Sequence, residues 1–235
     1  MRLHLPAHRP GHADQAAADD RRAGIHHHHL GRVLDPRHPR APAFGDALPL
    51  DPSPETLAFL ARRRSAPALT LAAPAPSPEE LEDLLTLAAR VPDHGKLAPW
   101  RFIILEGAGK ARFVQQLEAL AAGRADAAKL TAKLGKLKAP PLAVAVVSRT
   151  VTGEIPAWEQ LMSAGAVCTT LTYAALAMGY GANWITDWYA YDEEAKTVLG
   201  LGDYEQVAGY VFLGTATEAP QERQRPDVKA LTTRF

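Results

Sequence analysis

From about residue 52 onward, helical periodicity alternates with short apolar runs that are typical of strands. Ser53-Pro54 and the capping box Ser77-Pro78-Glu79-Glu80 each combine an N-cap residue with proline at the first helical position, so a helix is predicted to begin at both. The second of these helices is predicted to end at Val91-Pro92. Further helices are predicted from Lys110 to about Ala122, around Asp126 to Leu137, and from a cap at Asp192 to a stop at Gly200.

Four segments have the length and apolar content of strands, namely residues 101–105, 141–148, 183–187 and 206–213. Residues 156–178 predict a long, nearly all-apolar helix that Gly179-Tyr180-Gly181 ends. A helix that is apolar on every side must be covered on every side, and in a chain this small a partner subunit could supply part of the cover. Because strands and helices interleave, the class is α/β or α+β, with a central sheet covered by helices.

Residues 1 to about 50 lack this periodicity and hold eight of the nine histidines, including the run His26–His29. Such a segment cannot bury enough apolar surface to offset its ordering entropy, so we predict a disordered tail over 1–50 and one folded domain over 51–235. The histidine run is either a metal site or a solvated tail, a tag-like tract or the product of a mis-assigned start codon. Since no acidic or cysteine ligands cluster there at metal-site spacing, we predict no metal.

The composition excludes several classes of function. Lys+Arg and Asp+Glu both number 26, so nothing in the overall charge favours nucleic acid or an anionic membrane surface as a partner. Cys168 is the only cysteine, which rules out an internal disulfide and fits a reducing compartment. No apolar run approaches the ~20 residues of a membrane span, and no secretory signal is recognisable. We therefore expect a cytoplasmic protein.

Three constellations of residues could carry chemistry. Arg62-Arg63-Arg64-Ser65 is either favourable charge at a helix C-terminus or a phosphate clamp. Arg90 and His94 lie in a loop between a helix and a strand, where a lone histidine is either structural or a ligand contact. In Gly179–Thr186 the glycines permit close approach of a ligand and Trp184 offers a flat surface, unless the segment is only a helix stop and a core strand.

The usual catalytic and nucleotide motifs are missing from the sequence. Gly107-Ala108-Gly109-Lys110 lacks the third glycine of a dinucleotide fingerprint, and Ile104 and Ala111 stand where a Walker A loop needs glycine and Ser/Thr. No Gly-x-Ser-x-Gly elbow occurs. Cys168 lies inside the apolar helix and is interpreted as a buried thiol. These absences point to a cofactor that carries the chemistry.

In order and spacing, the three constellations resemble the nitroreductase family of FMN-dependent flavoproteins, and in particular its YdjA-like branch of NAD(P)H nitroreductases. The resemblance runs from about residue 55 to Phe235. It rests on five motifs in register: Arg63–Ser65, Pro92–His94 with Pro99-Trp100, Trp158–Gly165, Gly179–Trp184 and Leu213–Thr215. It implies an α+β nitroreductase-like fold, in which helices flank a central, mostly antiparallel or mixed sheet.

The resemblance also implies FMN bound at the interface of an obligate homodimer, with the C-terminal segment Val228–Phe235 reaching toward the other subunit. It assigns the cofactor to eight residues: Arg63, Arg64 and Ser65 at the phosphate, Arg90 and His94 from the second loop, and Trp184, Ile185 and Thr186 along the strand. NADH or NADPH would supply hydride, and a nitro compound or quinone would accept it by a ping-pong mechanism. No protein side chain is expected to act as an obligate acid, base or nucleophile.

Other functions remain open at this point. The chain could bind flavin without turnover, as a sensor or storage form, or keep only the scaffold as a structural dimer. Related folds cleave flavin itself or remove halide from aromatic substrates. The sequence also departs from the family pattern at Ala98, where glutamine is common, and at Ile185, where the close branch has arginine.

Overall fold

The computed structural model describes residues 41–235. The helices in this part of the chain are α1 (Pro54–Arg62), α2 (Pro78–Ala88), α3 (Gly107–Ala122), α4 (Ala127–Lys133), α5 (Gly135–Lys138), α6 (Ala157–Ala177), α7 (Trp188–Tyr191) and α8 (Glu193–Leu199). The strands are β1 (Leu71–Ala72), β2 (Trp100–Glu106), β3 (Leu142–Arg149), β4 (Gly181–Ile185) and β5 (Glu205–Ala216). Short 3-10 turns occupy Ala68–Thr70 and His94–Lys96.

The strands form one sheet in which β3 lies between β2 and β5. The long strand β5 also pairs with β4 and, near its C-terminal end, with β1. Every one of these pairings is antiparallel. The expectation of an α+β fold with a mostly antiparallel sheet is therefore confirmed.

Strand β3 shows how the sheet divides the core into two layers. Seven of its eight residues are buried, and successive side chains point to opposite faces. Ala143 and Ala145 join a cluster with residues of α3, α5, α7 and α8, whereas Val144 and Val146 join a cluster with residues of α2 and α6. Both faces of the sheet are thus covered by helices.

The predicted helix signals have the expected geometry. Ser77 Oγ accepts a hydrogen bond from Glu80 N at 3.2 Å, and Glu80 Oε2 accepts one from Ser77 N at 2.9 Å, which completes the capping box of α2. Ser53 caps α1. Gly200, at φ +78°, ends α8 in the left-handed conformation that favours glycine.

The structure corrects several boundaries. The helix predicted over residues 126–137 is divided into α4 and α5, next to Gly135, whose backbone freedom disfavours a helix interior. The strand predicted over 183–187 is shifted to begin at Gly181, and Asp187 instead caps the unpredicted helix α7. Gly181 is needed there because an added Cβ would lie 2.5 Å from Leu71 Cδ2. Helix α2 ends at Ala88, ahead of Val91-Pro92.

Helix α6 is covered on one side only. Its inner side is buried, but Trp158 and Met162 are 66% and 65% exposed. We call the outward side the open face; it consists of Trp158, Leu161, Met162, Gly165, Ala166 and Thr169. The sequence predicts that this helix is covered on every side, but residues 41–235 leave the open face uncovered. Neither α6 nor any other helix in residues 41–235 has the length and apolar character to cross a bilayer.

The domain boundary near residue 50 stays a prediction. Residues 41–53 are exposed and contain no helix or strand. Residues 1–40, with the histidine run and most of the predicted tail, lie outside the described residues. Helix α1 has no buried residue, and its apolar Leu57 and Leu60 are exposed.

Candidate functional site

The end of α1 and the start of β4 hold the first predicted constellation in place. Helix α1 ends at Arg62, and the backbone becomes extended at Arg63. Three residues after Arg63, Ala66 N donates to Ala182 O at 3.1 Å, and Asn183 Nδ2 donates to Ala66 O at 2.5 Å. These bonds fix the Arg63–Ser65 segment against the edge of the sheet.

Arg63 has an incomplete set of partners. Its guanidinium lies 5.0 Å from the ring centroid of Tyr173 on α6, and its Nη2 donates to Ser65 Oγ at 3.4 Å. Its Nε is buried and has no hydrogen-bond partner among residues 41–235. A buried charged donor without an acceptor is costly, so this atom suits an anionic group that the described residues do not provide.

Arg64 lines a neighbouring cavity. A space of about 320 Å³ lies between the Arg64-Ser65 pair and the C-terminal segment Glu218–Gln221. Arg64 Nε donates to Gln221 O at 2.8 Å and lies 3.8 Å from Glu222 Oε1. The C-terminal segment therefore forms one wall of the cavity, and sequence reasoning did not foresee it because these contacts span over 150 residues.

The second constellation lies at the other end of α6. The loop from Pro92 to Ala98 is tightly folded: the Asp93 carboxylate accepts from Leu97 N at 3.3 Å and from Ala98 N at 2.8 Å. Ser163 Oγ on α6 donates to Pro92 O at 2.6 Å. Positive φ values occur at three residues, Gly95, Lys96 and Ala98. Such backbone strain persists only where the surroundings enforce it, and it clusters at functional sites.

His94 has a partner that the sequence did not identify. Its Nδ1 lies 2.7 Å from Glu159 Oε2, in the first turn of α6. The imidazole is 66% exposed and the glutamate side chain 32% exposed. Arg90, the other predicted residue here, lies exposed just after α2. Glu159 belongs to the Trp-Glu-Gln motif that supported the resemblance, and that motif was the available signal.

The third constellation is divided between the two faces of the sheet. Trp184 is 41% exposed and lies over Gly209 of β5, where an added Cβ would lie 1.9 Å from the indole Nε1. Ile185 packs instead against the cluster on the opposite face. Thr186 is exposed, and its hydroxyl accepts a hydrogen bond from the Tyr191 hydroxyl at 2.6 Å. Only Trp184 of the three therefore points its side chain toward α6.

Trp184 forms one wall of an apolar groove of about 460 Å³. The other lining residues are Ala208 and five residues of the open face of α6: Leu161, Met162, Gly165, Ala166 and Thr169. The groove thus runs between the sheet edge and the open face, where a flat ring could lie against the indole.

Within one chain the predicted constellations do not converge. Arg63 contacts α6 at Tyr173, near its C-terminal end, whereas His94 contacts it at Glu159, near its N-terminal end. These two positions are about four turns apart, which is roughly 20 Å along the helix. The two constellations therefore lie at opposite ends of α6 in the described chain.

Other kinds of site find little support in the described part of the chain. Residues 41–235 contain no group of three metal-ligating side chains. Burial raises the pKa of the Cys168 thiol to about 12, which agrees with its interpretation as an unreactive core residue. Gly107 and Gly109, which do not complete a dinucleotide-binding motif in the sequence, lie in the first turn of helix α3.

Comparisons with known proteins agree with this geometry. The chain is 34% identical over 184 residues to YdjA of Escherichia coli (strain K12), which is named as an NAD(P)H nitroreductase; the match covers 77% of this chain and 100% of that one. A nitroreductase-like family protein from Bacillus cereus has a TM-score of 0.69 at 20% identity, covering 80% and 99% of the two chains. A nitroreductase with bound FMN from Bacteroides fragilis NCTC 9343 has a TM-score of 0.60 at 18% identity, covering 78% and 100%.

The family model described as the nitroreductase family matches residues 60–215, which include all three constellations. With the family model, the sequence relative and the shared fold in agreement, the chain belongs to the nitroreductase family.

Proposed function

We propose that two copies of this chain bind FMN between them and transfer hydride from NADH or NADPH to a nitro compound, a quinone or a similar acceptor. The observation that carries this proposal is the buried Nε of Arg63, which finds no acceptor among the described residues, while Nη2 of the same guanidinium donates to Ser65, a residue that lines the cavity beside Arg64. Family membership and the FMN-bound neighbour from Bacteroides fragilis support the same cofactor.

The residues present fit a phosphate monoester. Arg63 offers an unpaired charge-assisted donor, Ser65 a hydroxyl, and Arg64 a second guanidinium at the cavity wall. Glu222 lies near Arg64 and would compete with the phosphate for that guanidinium. We therefore assign most of the phosphate affinity to Arg63 and Ser65. When bound, FMN would supply a ring that accepts and donates hydride.

A homodimer would complete the site. The open face of α6 is long, apolar and uncovered, and an isologous interface places the same face of each subunit against the other. If the two α6 helices pack antiparallel, the Arg63 end of one lies beside the His94 end of the other. The two constellations, roughly 20 Å apart along α6 within one chain, would then lie side by side across the interface.

The C-terminal segment is proposed to extend this interface. Val228, Leu231 and Phe235 are all largely exposed in the single chain, although each is apolar. A partner subunit would remove this surface from water. The expected cytoplasmic location stays a prediction.

In the proposed reaction the chain's own residues bind and orient the reactants. Trp184 offers its indole as a flat wall of the groove. We assign the strained loop at residues 92–98 and Arg90 to the opposite side of the bound ring. One groove serves first the nicotinamide and then the acceptor, which predicts ping-pong kinetics. Kinetics that require both substrates bound together would contradict a shared groove.

An anaerobic visible spectrum of the purified protein tests the proposal. We expect a flavin spectrum that NADH or NADPH bleaches and that a quinone or nitro compound restores. A colourless protein that takes up no FMN on reconstitution would overturn it. A yellow protein that neither nicotinamide bleaches would show flavin binding without turnover.

Arg63→Ala tests the phosphate role directly. We expect FMN to bind more weakly by about 2–3 kcal/mol, the worth of a charge-assisted hydrogen bond. The matched control is Arg62→Ala, because Arg62 is exposed in the last turn of α1. Flavin titration of the apoproteins measures both, and equal affinities in the two variants would remove the role given to Arg63.

A further inference from the structure

His94 and Glu159 form a directed hydrogen bond, which an ion pair that served only surface stability would not require. The Glu159 carboxylate can only accept a hydrogen bond, so the imidazole Nδ1 at 2.7 Å must carry the hydrogen. This fixes the tautomer and leaves Nε2 as the atom that exchanges protons. Because both side chains are substantially exposed, the pair contributes little to stability.

The surrounding structure holds the imidazole in place. Ser163 of α6 binds Pro92 O, and Asp93 binds two backbone N–H groups of the same loop. Gly95 lies directly against Ile155, where an added Cβ would be 2.4 Å from its Cδ1. The loop is therefore anchored on both sides of His94, while the ring itself stays open to solvent.

The pair also lies at the margin of the proposed interface. Glu159 follows Trp158, the first residue of the open face, and Met162 is one turn further along α6. An acceptor bound in the seam between two subunits would meet the exposed side of the imidazole.

We propose that His94 is a catalytic residue that gives the acceptor its proton, and that Glu159 is the positioning residue that orients the ring; this revises the expectation from the sequence that no side chain acts as an acid. The proposal rests on the proposed function. Reduction of a quinone requires one hydride, supplied by the reduced cofactor, and one proton. The Nε2–H bond of the imidazolium breaks and an O–H bond forms on the reduced carbonyl, so that quinone, hydride and proton give the hydroquinone. The neutral imidazole keeps Nδ1–H on Glu159 and regains its proton from solvent.

The hydrogen-bonded tautomer can be tested without any cofactor. His94 is the only histidine outside the first 50 residues, so comparison with His94→Gln assigns its signals in ¹⁵N-detected spectra of the apoprotein. At a pH where the ring is neutral, we expect the Nδ1–H form in the parent protein and in Glu159→Gln, whose amide oxygen still accepts. We expect Glu159→Ala to shift the ring toward the Nε2–H form. A parent protein already in the Nε2–H form would overturn the proposal.

The catalytic role is tested by separating the two half-reactions in stopped flow. His94 is also assigned to the cofactor, so both variants are measured with the flavin site saturated. For His94→Gln and Glu159→Ala we expect reoxidation by a quinone to be slowed about 100-fold more than bleaching of the flavin by the nicotinamide, which is the typical contribution of a general acid. Reoxidation by ferricyanide, which takes electrons without a proton, should match the parent. Glu159→Gln should recover part of the quinone rate, because it keeps the ring oriented.

The control variant is Glu79→Gln, an exposed carboxylate in the first turn of α2, and it should behave as the parent protein in every assay. If quinone and ferricyanide are slowed equally, or neither is slowed, the proton role is wrong. If both variants lose their flavin, the pair holds the cofactor instead and the proposal is likewise overturned. A parent protein that neither nicotinamide bleaches would contradict the proposed function itself, which is a separate result.

Discussion

The two sides of helix α6 are built from similar residues and have opposite surroundings. The inner side places Val167, Cys168, Leu171 and Ala175 into the core between the sheet and α2, with no exposed surface. The open face carries equally apolar residues but leaves most of its large side chains in water. An apolar sequence therefore predicts that a helix surface is covered, but it does not predict which molecule covers it.

What distinguishes the two sides is the size and placement of their residues. The open face sets the large side chains of Trp158 and Met162 beside the small Gly165 and Ala166, so the surface has ridges and hollows at a scale another helix can fill. An exposed apolar patch rimmed by polar residues marks an interaction site more often than a defect. The difference teaches that the described chain packs only one half of α6, and the proposed homodimer would pack the other half.

The largest effect is expected from a charge in the middle of the open face. Ala166→Arg would bring two like charges together across an isologous interface, and such juxtaposition costs several kcal/mol. We expect dimer affinity to fall by at least roughly 1,000-fold, or ~4 kcal/mol. FMN should be lost with the dimer. Sedimentation velocity and flavin absorbance measure the two changes.

The control for this variant is Ala119→Arg, an exposed alanine of α3, whose core-facing residues belong to the cluster on the other side of the sheet. It should leave the oligomeric state unchanged. The far-UV circular dichroism of both variants should match the parent protein. A flavin-loaded monomer of Ala166→Arg would show that the open face is not where the site is completed.

The fold was predictable where local signals agree with tertiary structure. The capping box at Ser77, the cap at Ser53 and the stop at Gly200 each encode a helix end through a backbone requirement that neighbouring residues satisfy. Strand β1 was not predictable in this way, because two residues cannot show a period. Gly181 was interpreted as a helix stop, whereas long-range contact with Leu71 is what excludes a side chain there.

The sequence allowed the types of residue in the candidate site to be predicted, but not their partners or their positions in space. The sequence singled out Arg63 and His94, and the structure gives each a specific partner, Tyr173 and Glu159 respectively. Neither partner follows from spacing, since each contact joins segments far apart in the chain. Ile185 was grouped with Trp184 although strand alternation places neighbouring side chains on opposite faces.

Adjacent residues on the two sides of α6 allow a chemical comparison. Cys168 is fully buried, and burial raises its thiol pKa to about 12, so at pH 8 only roughly one thiol in 10,000 is ionised. Thr169 lines the groove on the open face. We expect native Cys168 to resist maleimide, while Thr169→Cys in the dissociated Ala166→Arg background reacts at least roughly 1,000-fold faster.

The same label measures the interface in the dimer. Thr169→Cys without the Ala166→Arg change should be protected, because the partner subunit covers the open face. Denaturant should make all cysteines reactive and so serves as the control for the reagent. Fast labelling of Thr169→Cys in the intact dimer would place the interface elsewhere.

Truncation on each side of α6 gives a smaller but cleaner contrast. Leu171→Ala would leave a cavity in the cluster between α6 and the sheet, and we expect the free energy of unfolding to fall by about 3 kcal/mol. Met162→Ala on the open face should change it by less than about 1 kcal/mol when both are measured in the monomeric Ala166→Arg background. Urea denaturation followed by circular dichroism compares them, and equal losses would mean that the two sides are packed alike.

The smallest effect concerns the wall that faces α6 across the groove. In Gly209→Ala the new methyl would overlap the Trp184 indole, which must then move, and we expect a loss of about 2 kcal/mol in the free energy of unfolding. In a Trp184→Ala background the same substitution should cost little, because the group it strikes is gone, so the double-mutant cycle should give a coupling of similar size. Gly153→Ala is the matched control, since an added Cβ there meets nothing within 4 Å. If Gly209→Ala costs as much without the indole as with it, the strain lies in the backbone of β5. The close approach of Trp184 would then not be what requires glycine, and the groove wall would tolerate a different ring position than the one described.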